Sequence, residues 1–478
     1  MSRTRLAPLA VLGLVALLIW VAAGGAQAGS LAACPPPPPG KVPLHPDLRA
    51  LRCGQASSAA PAQTANAGET VIPGGSQPQA VPSMPAEKIL TLPGYPNGVK
   101  ANPLTNKVYI ANGGGTIGTV AHFSSILVVD GTTNLLSKEI PVPTGTIKGY
   151  PTGVAVNTVT NRVYVSDQGL GVIYIVDGGS DTLLTSINLP AASGQRNASP
   201  TQLAVDTRSN TIYAGEDGHG RIFKIDGATN SVTVISDARF HAPTGVAFNP
   251  TTNLLYVSDT FAVTPCTQPC GGTTVWVVDP SRNSISSSIQ VGAGPAGMVY
   301  NSPTDRLYVA TGAPFLDAGS VSVIDGTSNS TVVVIPVGNG VQSGLANIAV
   351  NPQTNAVVTT SPPGPGTSGA GPGVYIIDGT TNQISGTVID SRFGCPADVA
   401  ILPALNTAYV TDECKGTLAV IPLGAASPSP SPSPSPSPSP SPSPSPSPSP
   451  SPSPIATPVV TGIDPGGGPG AGGTAVTI

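Results

Sequence analysis

Charge is scarce in this chain. Asp, Glu, Lys and Arg together make up 9% of its 478 residues, and the net charge is −4. No basic block able to neutralise a run of phosphates is present, which argues against nucleic acid as a partner. Aromatic residues are few as well, at 4%. The motifs of common chemistries are missing: there is no glycine-rich phosphate loop, no nucleophile elbow and no paired Cys/His zinc spacing. What abounds instead is Gly (57) and Pro (55), the residues of turns and extended linkers.

The most informative feature is a repeat. Six times a short apolar strand runs into a turn of one type: Asp130-Gly-Thr-Thr-Asn134, Asp177-Gly-Gly-Ser-Asp181, Asp226-Gly-Ala-Thr-Asn230, Asp279-Pro-Ser-Arg-Asn283, Asp325-Gly-Thr-Ser-Asn329 and Asp378-Gly-Thr-Thr-Asn382. A period of ~45–55 residues built only of strands and turns predicts a radial array of small sheets, a β-propeller. Within each unit a first strand such as Gly153–Val156 alternates apolar side chains. A reversal of the Asn249-Pro-Thr-Thr-Asn253 kind follows, then a second strand such as Arg162–Val165 and a third such as Val172–Val176. The Asp-Gly turn leads into a fourth, more polar strand, as suits an exposed blade edge.

First strands centred on Val99, Val154, Leu203, Val246, Met298, Ile348 and Val399 make seven units. The seventh has only three strands and no Asp-Gly turn. Lys88–Leu92, which precedes the first unit, reads as the end of a unit. The fold expected is all-β: a seven-bladed propeller of four-stranded antiparallel blades, closed by this N-terminal strand, with disordered flanks. Tyr109, Tyr164, Tyr213, Tyr256, Tyr308 and Tyr409 share one repeat position, held by Val358 in the sixth unit, and read as packing between blades.

Five segments are expected: a signal peptide (1–28), a Pro/Ala-rich disordered arm (29–86), the propeller (87–424), a Ser-Pro linker (425–457) and the start of a further domain (458–478). Arg3 and Arg5 precede the apolar run Leu6–Ala23, and Ala26-Gln27-Ala28 is a small-x-small cleavage site. Two alternatives stay open: an uncleaved membrane anchor, and lipidation at Cys34 through Leu31-Ala-Ala-Cys34, which resembles a bacterial lipobox. Either is a route to the membrane; otherwise the chain is expected to be secreted or held at the cell surface or wall. Ser427–Pro454 is an unbroken Ser-Pro repeat of 28 residues. In polyproline II, at ~3.1 Å per residue, it reaches roughly 85 Å.

Six cysteines in an exported chain point to disulfides, most simply Cys34–Cys53, Cys266–Cys270 and Cys395–Cys414. Cys266-Thr-Gln-Pro-Cys270 imitates a metal half-site but has no second Cys/His pair, so a loop staple is the better reading.

Two resemblances add to this. Tyr109-Ile-Ala-Asn112 and Tyr409-Val-Thr-Asp412, with a Val-Ile-Asp-Gly-x-Thr-Asn segment in most units, resemble the YVTN family of β-propeller repeats over about residues 87–423. This implies an exported or surface-layer-associated propeller, with no shared activity and no catalytic motif to carry over. Pro458–Pro465 and Gly472–Ile478 resemble the opening strands of an IPT/TIG immunoglobulin-like domain, as though a longer surface protein continued beyond Ile478.

Function is expected on the propeller face that carries the second turns, whose lengths vary most between units. There, one equivalent position holds Asn112, Asp167, Glu216, Asp259, Thr311, Ser361 and Asp412. Its acids invite a hard cation through oxygen ligands, but Asn and Asp at strand exits commonly bond their own turn backbone. His122, Asp217, His219, Arg239, His241 and Glu413 fall on the same face. The function expected is a binding or scaffold module for an extracellular glycan or protein, a cell-wall component among the candidates, acting as a monomer without cofactor. The alternative is a metal-dependent propeller enzyme of the lyase or lactonase type, with His219 and Glu216 as acid and base and a divalent cation as cofactor. A purely structural spacer is the third reading.

Overall fold

The computed structural model describes residues 85–117, 120–143, 149–217, 219–261, 271–312, 319–337, 344–362 and 372–424. The signal peptide, nearly all of the arm, the linker, the IPT/TIG-like segment and both Cys34–Cys53 and Cys266–Cys270 lie outside them. The described residues form seven sheets of four antiparallel strands, and a two-stranded hairpin (Gly115–Ile117 with Val120–His122) stands on the first. Blade 1 comprises Pro96–Asn102, Lys107–Asn112, Ser125–Asp130 and Leu135–Pro141, from the centre outwards. Blades 2 to 6 repeat this order, and their innermost strands contact one another in sequence around a ring. Besides strands, two short 3-10 turns occur among the described residues, Ser302–Thr304 and Pro403–Leu405.

Blade 7 is made from both ends of the propeller. Strand Lys88–Thr91 pairs antiparallel with Thr417–Pro422 in the register Lys88↔Val420 to Thr91↔Thr417. It is the outermost strand of the sheet that also contains Pro396–Leu402 and Thr407–Asp412. Leu90 and Leu92 enter the apolar layer between blades 7 and 1, with Val108, Ile110, Leu127 and Leu418. The beginning of the strand is clamped from two sides. Arg392 grips Asp390 and donates to the Ala86 carbonyl at 3.0 Å, while Lys88 Nζ donates to the Asn134 carbonyl of blade 1 at 2.7 Å.

Each apolar cluster draws on two neighbouring blades, so the core is a ring of interfaces. The Val, Ile and Leu side chains in it contribute roughly 1.5–3 kcal/mol each on burial. Polar contacts set the angle between blades. In blades 1, 4 and 7 the repeat tyrosine donates its hydroxyl to the Asp-Gly turn of the next blade, while Tyr164 of blade 2 reaches Asn210 in the first turn of blade 3. Tyr109 reaches the Gly178 carbonyl (3.1 Å) and Asp181 (2.6 Å), and Tyr256 reaches Gly326 (3.2 Å) and Asn329 (2.7 Å). Tyr409 closes the circle onto Gly131 (3.2 Å) and Asn134 (2.7 Å).

Each residue of the turn has its own task. The Asp carboxylate caps its own turn, as Asp130 Oδ1 does for the amides of Thr132 and Thr133. Gly admits the close approach of the adjoining turn and blade: a Cβ at Gly131 would sit 2.2 Å from Leu402 of blade 7. The closing Asn is left-handed, with φ 52° at Asn134, a conformation Asn tolerates better than most residues. Its side chain is then free to accept the neighbour's tyrosine.

Two predictions concern the seam. Leu90→Asp puts a charge in the apolar layer between blades 7 and 1 and is expected to cost about 3 kcal/mol or more. Thr91→Asp on the exposed side of the same strand is expected to cost under about 0.5 kcal/mol; urea unfolding compares the two. The second concerns acid. Arg392 and the amides of Arg392 and Ala86 outweigh burial and hold the Asp390 carboxyl down to about 2. With the folded value below the unfolded one of ~3.9, the stabilisation is complete above ~4 and is lost as pH falls through about 2. Asp390→Asn should therefore flatten the loss of thermal midpoint between pH 4 and 2.

Candidate functional site

The second turns and the connections between blades share one face of the ring. The residues at the ends of the second strands there are buried: Asn112, Asp167, Glu216 and Asp412 have no exposed surface and Asp259 has 2%. They do not converge on a common point. Each faces the backbone that leads into its own blade. Asp167 accepts the amides of Tyr150 (2.7 Å) and Leu170 (3.0 Å) and the hydroxyl of Tyr174 (3.1 Å). Asp412 accepts those of Gly394, Cys395 and Lys415. Asn112 donates to the Pro93 carbonyl (2.6 Å) and to Ser125. For Asp167 and Asp412, burial raises the carboxyl pKa and these amides oppose the shift. The shared position is thus a bracket that ties each incoming connection to its sheet. Among the described residues no three His, Cys, Asp or Glu side chains assemble as a metal site.

Glu216 has the most committed carboxylate. Arg221 grips it with both Nε and Nη2, the Ser199 amide donates at 3.2 Å, and Arg221 also donates to the Pro190 carbonyl. His219 Nδ1 lies 3.5 Å from Glu216 Oε1 without a hydrogen bond. The pairing that acid–base chemistry would need is occupied by arginine. Asp217 is buried beside it.

Blade 4 offers a different arrangement. Asp259 accepts the Ala242 amide (2.7 Å), His241 Nδ1 (3.1 Å) and the indole N–H of Trp276 (3.0 Å). Arg239 lies over the Trp276 ring at 5.7 Å, held by a two-point contact with Asp237, and Phe240 meets the same ring edge-on. Half of the Arg239 side chain and a third of the imidazole are exposed. Across the ring, His122 ends the small hairpin of blade 1 and is half-buried, while Phe123 beside it is 80% exposed. Glu413 accepts the Tyr150 hydroxyl at 2.8 Å, joining blade 7 to the lead-in of blade 2. The expected Cys395–Cys414 bond forms at this face, with the two Cα atoms 5.2 Å apart.

Sequence reasoning therefore placed these residues on one face but missed Phe123, Trp276 and Tyr150. It also missed the polar side chains of the central cavity. For these a signal existed: Lys100 stands where blades 2, 3 and 4 have Ala155, Ala204 and Ala247.

The fold defines the protein as a seven-bladed β-propeller. No family model and no curated protein matches the chain. Among solved structures 1606 chains match, a number that makes the fold uninformative about activity. One is a chain of Kuenenia stuttgartiensis hydrazine synthase, at 15% identity and a TM-score of 0.54, covering 70% of this chain and 96% of that one. At this identity the likeness is one of fold.

Arg221→Ala would leave Glu216 buried and unpaired, and is expected to cost about 3–5 kcal/mol in urea unfolding. His219→Ala is expected to cost under about 1 kcal/mol. The opposite order would mean that Arg221 is not the group that holds Glu216.

Proposed function

We propose that this protein is a secreted or cell-surface binding module of the YVTN type, which engages a glycan or another protein through the variable loop face. The Ser-Pro segment would serve as a strut and the IPT/TIG-like segment as the start of a further extracellular module. The observation that carries the reading is the blade 4 cluster. Asp259 holds the indole and imidazole in place, Arg239 covers the ring, and both Arg239 and His241 are partly open to solvent. Preorganised Trp and Arg side chains of this kind are the usual anchors of protein recognition surfaces. Phe123 adds an exposed aromatic on the same face, where a large apolar side chain gains nothing from solvent.

The engagement of Glu216 by Arg221 weighs against the lyase or lactonase alternative, because a general base must be free to take a proton. The purified chain should be screened on arrays of bacterial wall glycans and surface proteins. Arg239→Ala and Phe123→Ala should then each weaken the captured ligand by about tenfold, the effect of losing ~1.4 kcal/mol. Absence of any ligand would favour a plain spacer; binding indifferent to both substitutions would move the site elsewhere.

A further inference from the structure

The innermost strands surround a central cavity of about 370 Å³, within the range of small-molecule sites, roughly 300–1,000 Å³. About half of its lining residues are Gly, Ala or Val, and the reason is geometric. At Gly98, Gly153 and Gly245 an added Cβ would lie 2.0–2.3 Å from a carbonyl oxygen of the next blade. The same repeat position is Gly297 in blade 5 and polar in blades 3, 6 and 7: Gln202, Asn347 and Asp398. Two residues further along, blade 1 has Lys100 where the other blades carry Ala155, Ala204, Ala247, Val299, Ala349 and Ala400.

We propose that this cavity binds a small zwitterion of the amino-acid class, its carboxylate on Lys100 Nζ and its ammonium on Asp398. Both residues line the cavity; Lys100 is exposed and Asp398 half-buried. Among the described residues Lys100 forms no hydrogen bond or ion pair, and Asp398 influences it only through the longer-range field. Asp398 accepts the amides of Val99 and Val399, which orient the carboxylate and leave lone pairs for a ligand. Gln202 Nε2 donates to Asn347 Oδ1 at 2.8 Å, linking blades 3 and 6 across the ring. This amide pair contributes a neutral polar wall.

Charge complementarity selects the class. A simple anion would satisfy Lys100 and face Asp398, and a simple cation would do the reverse. A molecule bearing both charges satisfies both, and the small apolar wall suits a neutral side chain. Lys100 has no evident structural role, since alanine or valine does its packing work elsewhere. Desolvation inside the ring lowers the Lys100 pKa, against the pull of Asp398, and pushes the Asp398 carboxyl up to about 6.

The test is calorimetric titration of the full chain with glycine, alanine, leucine, acetate and methylammonium. The amino acids should bind, with acetate and methylammonium weaker by about tenfold or more, the worth of one charge-assisted contact. Lys100→Ala should fold, as judged by circular dichroism and an undiminished thermal midpoint, and should lose the amino acids by about the same factor. Asp398→Asn, which keeps an acceptor for Val99, should lose them too. The proposal is overturned if no amino acid binds at millimolar concentration, if acetate binds as well as alanine, or if Lys100→Ala binds undiminished. It is independent of the loop-face reading, because neither the array result nor Arg239→Ala bears on the cavity.

Discussion

Apolar packing between neighbouring blades holds the ring, and at three of its seven interfaces a tyrosine hydroxyl held by the turn of the adjoining blade gives that packing a direction. Sheets stacked face to face slide easily, because the apolar surfaces between them carry no direction. Tyr109, Tyr256 and Tyr409 supply that direction, each donating to a carbonyl and to the closing side chain of the neighbouring turn. The hydroxyls lie at the rim of a buried interface, where an unmade hydrogen bond would be expensive. Seven blades packed in sequence bring the last beside the first. Lys88–Thr91 then removes the edge that would otherwise be open.

This explains why the fold was legible from sequence. The residues that make the turn, Asp, Gly and Asn, are also those that meet the preceding blade, so one five-residue signature encodes both local reversal and blade-to-blade docking. Local and global demands agree, which is the condition for a readable sequence. The seven-unit count and the donated strand followed from that periodicity. The site was less legible for the opposite reason. Asp167, Glu216, Asp259 and Asp412 look like ligands in a linear reading because they are acidic and aligned. Only the three-dimensional arrangement shows their oxygens committed to amides, an arginine or an indole of their own blades. Phe123 was invisible because nothing in its neighbours distinguishes an exposed phenylalanine from a buried one.

Those commitments also shape what the loop face can do. Bracketing each connection at its base leaves the loop above free to vary without disturbing the sheet. In blade 4 the bracket also holds the side chains of His241 and Trp276, whereas in blade 3 it holds Arg221. Neighbouring units thus use one position for opposite ends: presenting side chains in one and neutralising a charge in the other. The central cavity is built by a separate logic, in which close strand approach demands glycine and departures from glycine or alanine stand out.

The manner of closure has a mechanical consequence. Strands Lys88–Thr91 and Thr417–Pro422 are adjacent and antiparallel, so the segments before Ala86 and beyond Pro422 leave the ring from the same end of the pair. Tension applied between those two flanks would load the rungs one after another, in the way a zipper opens. The first resistance met would come from Arg392 on the Ala86 carbonyl and the Glu87 amide on Val420. A propeller tethered through both flanks would therefore yield at its seam under modest force, while one pulled by a single flank and an occupied loop face would be loaded through its blades.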